Sequence, residues 1–151
     1  MEKKLPPHPA ILASLYGSSV LFTLLAQFFP PFWFVAIPLN ISLIVLHCIF
    51  WFRLWQLAQA SDLGIRKPSP GKAVGFIFIP FYNFYWLFIL YRNLALHLNH
   101  LTGQNRIPVP LVTIGCALTV SIMLVDVGQI ILQIINFYFY KSARGISCKE
   151  K

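Results

Sequence analysis

Residues 5–52 read LPPHPAILASLYGSSVLFTLLAQFFPPFWFVAIPLNISLIVLHCIFWF and contain no Asp, Glu, Lys or Arg. The hydrocarbon core of a bilayer is about 30 Å thick, and a helix needs about 20 apolar residues to cross it. The run is long enough for two such helices, with Pro30 and Pro31 between them. Backbone amides find no water to bond inside lipid, so crossing segments have to be helical. The stretch therefore predicts a hairpin of two membrane helices.

Two further uncharged runs follow, over 73–91 and 107–125, and the second resumes after Asp126 as far as Tyr140. Each is long enough for one crossing. The 151-residue chain is 58% hydrophobic and 11% charged, which places it outside the soluble globular range. We therefore predict an all-α integral membrane protein, a four-helix bundle forming one domain over 1–151. The predicted helices cover 10–29, 32–61, 70–99 and 109–140.

The net charge of +8 is explained by membrane topology better than by nucleic acid. With four crossings, Arg92 and Arg106 alone would face one side, and the other ten cations would face the opposite side. Cytoplasmic loops carry such an excess of Lys and Arg, so both termini are predicted in the cytoplasm. The basic residues form no continuous groove, and no nucleic-acid partner is expected.

Residues that cap, bend or closely pack helices support these assignments. Ser69 can cap a helix whose first position is Pro70, and Pro80 is expected to kink the same helix at its centre. Gly17, in Ala13-x-x-x-Gly17, and likewise Gly75 and Gly115, would let a neighbouring backbone approach closely. Small residues are enriched at such contacts between membrane helices.

The last predicted helix carries a polar seam. Its members recur at spacings of three and four residues, which places them on one face of a helix. They are Thr119, Ile122, Asp126, Gln129, Gln133, Asn136 and Tyr140. An ionisable group inside a membrane is costly and is by default a candidate functional site. The seam is therefore expected to face protein or water, with Asp126 as its central residue.

We interpret five residues as a candidate intramembrane polar site, at compatible depths in three helices: Asp126, Gln129, Asn83, Asn40 and His47. Pro38 and Pro80 would each free a backbone carbonyl one turn earlier, as transporters do at cation sites. The alternative is structural, because intramembrane amides also act as interhelical hydrogen-bonding contacts and prolines kink helices without binding anything.

Catalytic and metal signatures are missing from the sequence. His97 and His100 lie three residues apart without a third ligand, and His47 has no intramembrane histidine partner for haem. We expect no metal and no cofactor. The leading hypothesis is a non-enzymatic multi-pass protein, an accessory subunit or a self-associating bundle whose partners are the lipid bilayer and a second copy or another membrane protein. The alternative is a small proton- or cation-handling transporter or channel that uses Asp126.

The stretch Ser69-Pro70-Gly71-Lys72-Ala73-Val74-Gly75, followed by Phe78-Ile79-Pro80 and Asn83-Phe84-Tyr85-Trp86, resembles a known signature. It is similar to the S-P-G-x-A-V-G-x-x-F-I-P run of a family of small bacterial membrane proteins with a domain of unknown function. The likeness covers about residues 50–100. It implies a polytopic protein of the bacterial cytoplasmic membrane and brings no activity with it.

Overall fold

The computed structural model of the chain describes residues 5–60, 62, 68–120 and 125–149, with side chains for 5–60, 62, 68–120 and 129–146. All regular secondary structure in these residues is helical, which confirms the predicted all-α class. Six α-helices replace the predicted four. They are α1 (Pro9–Phe28), α2 (Trp33–Ala58), α3 (Pro70–Gly75), α4 (Tyr82–Thr102), α5 (Val109–Val120) and α6 (Val125–Lys149).

Helices α1 and α2 form an antiparallel hairpin around a 3₁₀ turn at Pro30–Phe32. Midway along α1, Ser19 Oγ donates to Asn40 Oδ1 over 2.9 Å, and at the end away from the turn Arg53 Nη1 donates to the Leu5 carbonyl over 2.6 Å. By length and composition, two segments suit a membrane crossing, Pro9–Phe28 and Pro30–Ala58. Only 22% and 6% of the most apolar 18-residue stretch of each segment are buried inside the molecule, so most of this surface faces outward.

Helices α3 and α4 form a second hairpin, and the predicted continuous helix over 70–99 is wrong. Ser69 does cap α3, its Oγ accepting from Lys72 N, with Pro70 at the first position. After a 3₁₀ turn at Phe76–Phe78 the chain reverses at 79–81. The cause is Pro80, which has no N–H for a helical bond. Trp86 Nε1 of α4 then donates to the Ala73 carbonyl of α3 over 2.7 Å, which ties the two legs together.

Helices α5 and α6 form a third hairpin, which contradicts the predicted single helix over 109–140. A Cβ added at Gly115 would lie 2.9 Å from Ile131 Cγ2 and 3.1 Å from Leu132 Cδ2. In one straight helix, residues 115 and 131 would be about 24 Å apart. The two helices therefore lie side by side. The close approach predicted at Gly115 is confirmed, whereas Gly17 and Gly75 have nothing within 4 Å of a Cβ.

The second legs of the hairpins, α2, α4 and α6, run parallel. Trp51 and Trp55 of α2 meet Tyr91 and His97 of α4 in the same order along both helices. Phe139 of α6 completes an aromatic cluster with Trp51 and Tyr91. The ring centroids are 4.2 Å apart for Trp51–Tyr91, 5.8 Å for Trp51–Phe139 and 6.0 Å for Tyr91–Phe139. We call the end of the molecule toward which these helices run the basal end.

Cations begin immediately beyond the aromatic cluster on all three parallel helices. Arg53, Arg92 and Lys141 each follow a cluster residue by one or two positions. Arg106 joins them at the basal end, since its Nη1 lies 3.6 Å from a Cβ placed at Gly145 of α6. The prediction that Arg92 and Arg106 lie at the opposite end from the other cations is therefore wrong. It assumed two full crossings where the chain forms two hairpins.

Candidate functional site

An open cleft of about 700 Å³ lies between α1, α2, α4, α6 and the 3₁₀ turn at Phe76–Phe78. The α3–α4 hairpin is short, so it leaves uncovered the part of the α1–α2 hairpin that lies toward the Pro30–Phe32 turn, and this leaves room for the cleft. Trp51 and Tyr91 of the aromatic cluster are among its lining residues. Its other walls are mostly aliphatic, and its polar lining residues are Tyr16, Ser19, Thr23, Asn40, His47, Cys48 and Gln129.

The part of the cleft nearest the α1–α2 turn is organised by Asn40. Its Oδ1 accepts from Ser19 Oγ at 2.9 Å, and its Nδ2 donates to the Ala36 carbonyl at 2.8 Å and to Thr23 Oγ1 at 3.5 Å. Every polar atom of this amide is thereby used within the hairpin. Asn40 joins α1 to α2, which is the structural role that the sequence left open beside the ligand-binding one.

The part of the cleft nearer the basal end is organised by His47. Its Nδ1 lies 3.0 Å from the Leu43 carbonyl, and because a carbonyl only accepts, Nδ1 carries the proton. Nε2 is then an acceptor, and Gln133 Nε2 approaches it at 3.4 Å. Asn136 Nδ2 in turn donates to Gln133 Oε1 at 3.4 Å. With the Gln133 amide nitrogen facing Nε2, this arrangement of amides from α6 suits a neutral imidazole protonated at Nδ1.

Gln129 differs from these residues. It is half-buried, lines the cleft from α6, and its amide forms no hydrogen bond to the described residues. Thr23 is similar on the opposite wall, since its hydroxyl accepts from Asn40 while no described group accepts its proton. Within the part of the chain that the structure describes, these two side chains thus keep hydrogen-bonding capacity that no protein group uses.

Three of the five predicted site residues, Asn40, His47 and Gln129, line this cleft. Asn83 does not. It lies in the first turn of α4, where its Oδ1 is buried without a partner among the described residues. Its predicted midplane position assumed a continuous helix. Asp126 belongs to α6, but its side chain lies outside the described residues.

The sequence did not single out the α1 wall or the deeper amides as ligand-facing. Tyr16, Ser19 and Thr23 repeat at helical spacing and were overlooked beside the small-residue pattern of the same helix. Gln133 and Asn136 belong to the predicted polar seam. Both are buried, in agreement with the expectation that the seam faces protein. Thr119 lies on α5, so it is not on the helix that carries these amides.

The two histidines of α4 do not form a joint site. His97 is fully buried against the Trp55 ring, whereas His100 is exposed. Within the described residues, no group of three His, Cys, Asp or Glu side chains is close enough to hold a metal ion.

Comparison with known proteins adds nothing to this geometry. No family model matches the chain, and neither the curated proteins nor the solved structures yield a match. The resemblance over residues 50–100 stays a prediction.

Proposed function

We propose that this chain is a non-enzymatic integral membrane protein with one transmembrane hairpin, α1–α2, and two shorter hairpins that enter the bilayer from the basal side and return to it. The observation that carries the proposal is the common level of Arg53, Arg92 and Lys141, directly beyond the aromatic cluster on three parallel helices. Cations at one level on several helices, directly beyond apolar segments, are typical of a membrane–water interface, where long basic side chains reach the headgroups.

The lengths of the helices agree with a membrane surface at the level of these three cations. From Trp33 to Arg53, α2 rises about 30 Å at 1.5 Å per residue, which equals the thickness of the hydrocarbon core. From Tyr82 to Arg92, α4 rises only about 15 Å. The α1–α2 hairpin therefore suits a full crossing, and the α3–α4 hairpin suits entry to about the middle of the bilayer.

On the side of these three cations that lies away from the basal end, the exposed surface is apolar, as contact with lipid requires. Phe34 is 84% exposed on α2, and Phe81 is 87% exposed at the tip of the α3–α4 hairpin. A core helix of a soluble protein would be largely buried, which neither apolar segment is. A signal sequence would not account for the exposed aromatic tip of a later hairpin.

The biological context follows from the same placement. Positive residues mark the cytoplasmic side, so the basal end faces the cytoplasm. The resemblance over residues 50–100 favours the cytoplasmic membrane of a bacterium. We infer an accessory or self-associating role, with lipid as the first partner and a second copy or another membrane protein as the next.

The depth of the α3–α4 tip tests the proposal. A fluorophore on Phe81→Cys, in a variant without native cysteines and reconstituted in vesicles, is expected to be quenched by lipids brominated near the chain ends. It should also be shielded from aqueous iodide. The matched control is Asn105→Cys in the α4–α5 connection, which should show the reverse pattern. Efficient iodide quenching at position 81 would contradict the proposal.

Proton or cation handling is the second candidate, because the cleft brings Asn40, His47 and Gln129 together one turn of α6 away from Asp126. Asp126→Asn keeps the shape and removes the charge. The matched control is Asp62→Asn, an exposed acid outside the cleft. If this candidate holds, vesicles containing the wild type will pass protons or a monovalent cation, and only Asp126→Asn will abolish the flux. Equal flux in all three proteins would contradict it.

A further inference from the structure

We propose that the cleft binds an uncharged lipid whose carbonyl oxygens accept hydrogen bonds from Gln129 on α6 and Thr23 on α1. The inference rests on the membrane placement proposed above. Gln129 on α6 and Thr23 on α1 both line the cleft, which is partly open to the surroundings. On that placement the opening faces the hydrocarbon interior, and a ligand would enter sideways from the bilayer.

The depth of the cleft selects an uncharged ligand. Its lining residues lie on the distal side of Arg53, Arg92 and Lys141, at the depth of the lipid chains. The described lining residues include no Asp, Glu, Lys or Arg, and the contacts of His47 suit a neutral imidazole. A charged head at this depth costs several kcal/mol without a partner. Phospholipid heads would therefore stay at the interface, whereas the head of a neutral lipid can reach the cleft.

The free hydrogen-bonding capacity selects an acceptor. Asn40 uses all its polar atoms within the protein, and both ring nitrogens of His47 have partners. Among the described residues, the Gln129 amide and the Thr23 hydroxyl proton have no partner. A carbonyl oxygen would satisfy these donors, and in a medium without water such bonds keep most of their strength.

The size and the walls of the cleft select an amphiphile with a long tail. About 700 Å³ lies well inside the range of lipid and cofactor pockets. Val20, Leu24, Leu43, Ile44 and Leu132 provide aliphatic walls, and Trp51 closes the basal side. Long-chain quinones and diacylglycerols share this chemistry of neutral carbonyls on an apolar tail.

Binding to the purified full-length protein tests the inference. Decyl-ubiquinone and dioleoylglycerol are titrated separately into the protein in nanodiscs, with Trp fluorescence and native mass spectrometry as readouts. We expect saturable one-to-one binding of at least one of them, which also identifies the source of the carbonyl. Squalene, which has no oxygen, and phosphatidylglycerol, whose head is charged, should not compete.

Three variants separate the site from the fold. Gln129→Leu is expected to weaken binding about tenfold, the loss of roughly one buried hydrogen bond. Leu24→Trp, at an exposed position on the cleft wall, should fill the space and weaken binding as strongly. Gln27→Leu, exposed on α1 outside the cleft, should leave binding unchanged.

Four results would overturn the inference: no saturable binding to the wild type, equal competition by squalene, unchanged affinity in both cleft variants, or a dimer that shields position 24. The last would assign the cleft to a second copy of the chain. Failure here leaves the membrane placement intact if the Phe81 probe still lies in the bilayer interior.

Discussion

At the scale of single residues, glycine marks one close helix contact. Gly115 of α5 lies against Ile131 and Leu132 of α6, whereas Gly17 of α1 faces outward with nothing within 4 Å of a Cβ. Both glycines have small neighbours in sequence and look alike before folding. Only the hairpin between α5 and α6 distinguishes them.

We expect Gly115→Leu to destabilise the protein by about 1–3 kcal/mol, because the new side chain would push α5 away from α6. The measurement is thermal or denaturant unfolding in detergent, followed by circular dichroism. Gly17→Leu is the control and should change the stability by less than about 0.5 kcal/mol. Equal stability of the two variants would contradict the α5–α6 contact.

A second residue-scale prediction concerns Asn99, which holds the α4–α5 connection. Its Nδ2 donates to the Ile107 carbonyl at 2.9 Å, and its Oδ1 accepts from Ile107 N at 3.0 Å. Asn99→Ala leaves two buried backbone groups without partners, which costs about 2–4 kcal/mol. The same unfolding experiment checks this. Asn105→Ala, at an exposed position of the connection, should leave the stability nearly unchanged. An unchanged stability of Asn99→Ala would contradict the role of the two Asn99–Ile107 hydrogen bonds.

At the scale of elements, the sequence predicts starts and stops better than reversals. The Ser69 cap and the Pro30–Phe32 turn depend on residues within a few positions, so local rules find them. The reversal at 79–81 is different. An uncharged run over 73–91 satisfies the length rule whether it crosses a bilayer or folds back within it. The same ambiguity hides the α5–α6 hairpin inside 107–140.

The bond from Trp86 Nε1 to the Ala73 carbonyl is expected to hold the α3–α4 hairpin closed. Trp86→Phe keeps an aromatic ring and removes the donor, so the hairpin should lose about 1–2 kcal/mol. Lys72 is exposed but lies within α3, and trypsin needs an extended backbone, so opening of the hairpin should let it cut there about tenfold faster, since 1.4 kcal/mol corresponds to a factor of ten. Trp33→Phe, at an exposed position of α2, is the matched control. An unchanged rate of trypsin cleavage in Trp86→Phe would contradict a stabilising role of the Trp86–Ala73 hydrogen bond.

The residues of the candidate site likewise fall into those that local sequence rules find and those that depend on how the helices pack. Asn40, His47 and Gln129 were found from the sequence because polar residues in apolar helices stand out individually. Asn83 was misplaced because its depth was counted along a helix that the chain interrupts. The hydroxyls of α1, Ser19 as a donor and Thr23 as an acceptor, become apparent only when α1 is placed against Asn40. Partners across helices depend on packing, which periodicity alone does not supply.

At the scale of the whole molecule, three hairpins bring Arg53, Arg92, Arg106 and Lys141 to one end. The asymmetry of charge was visible in the sequence, but two of the cations were assigned to the wrong end because 70–99 and 109–140 were each predicted as one continuous helix. Arg92 and Arg106 lie with Arg53 and Lys141 once the two short hairpins are recognised. The positive-inside preference is then satisfied more completely than four crossings would allow.

Side-specific cysteine labelling in sealed vesicles is the most direct measurement of this arrangement. Single cysteines replace Asn105, Arg144 and Gln27, all exposed, in a protein freed of its native cysteines. We expect an impermeant maleimide to reach positions 105 and 144 from the same side and position 27 from the opposite side. Labelling of positions 105 and 144 from opposite sides would restore four full crossings and contradict the three-hairpin account.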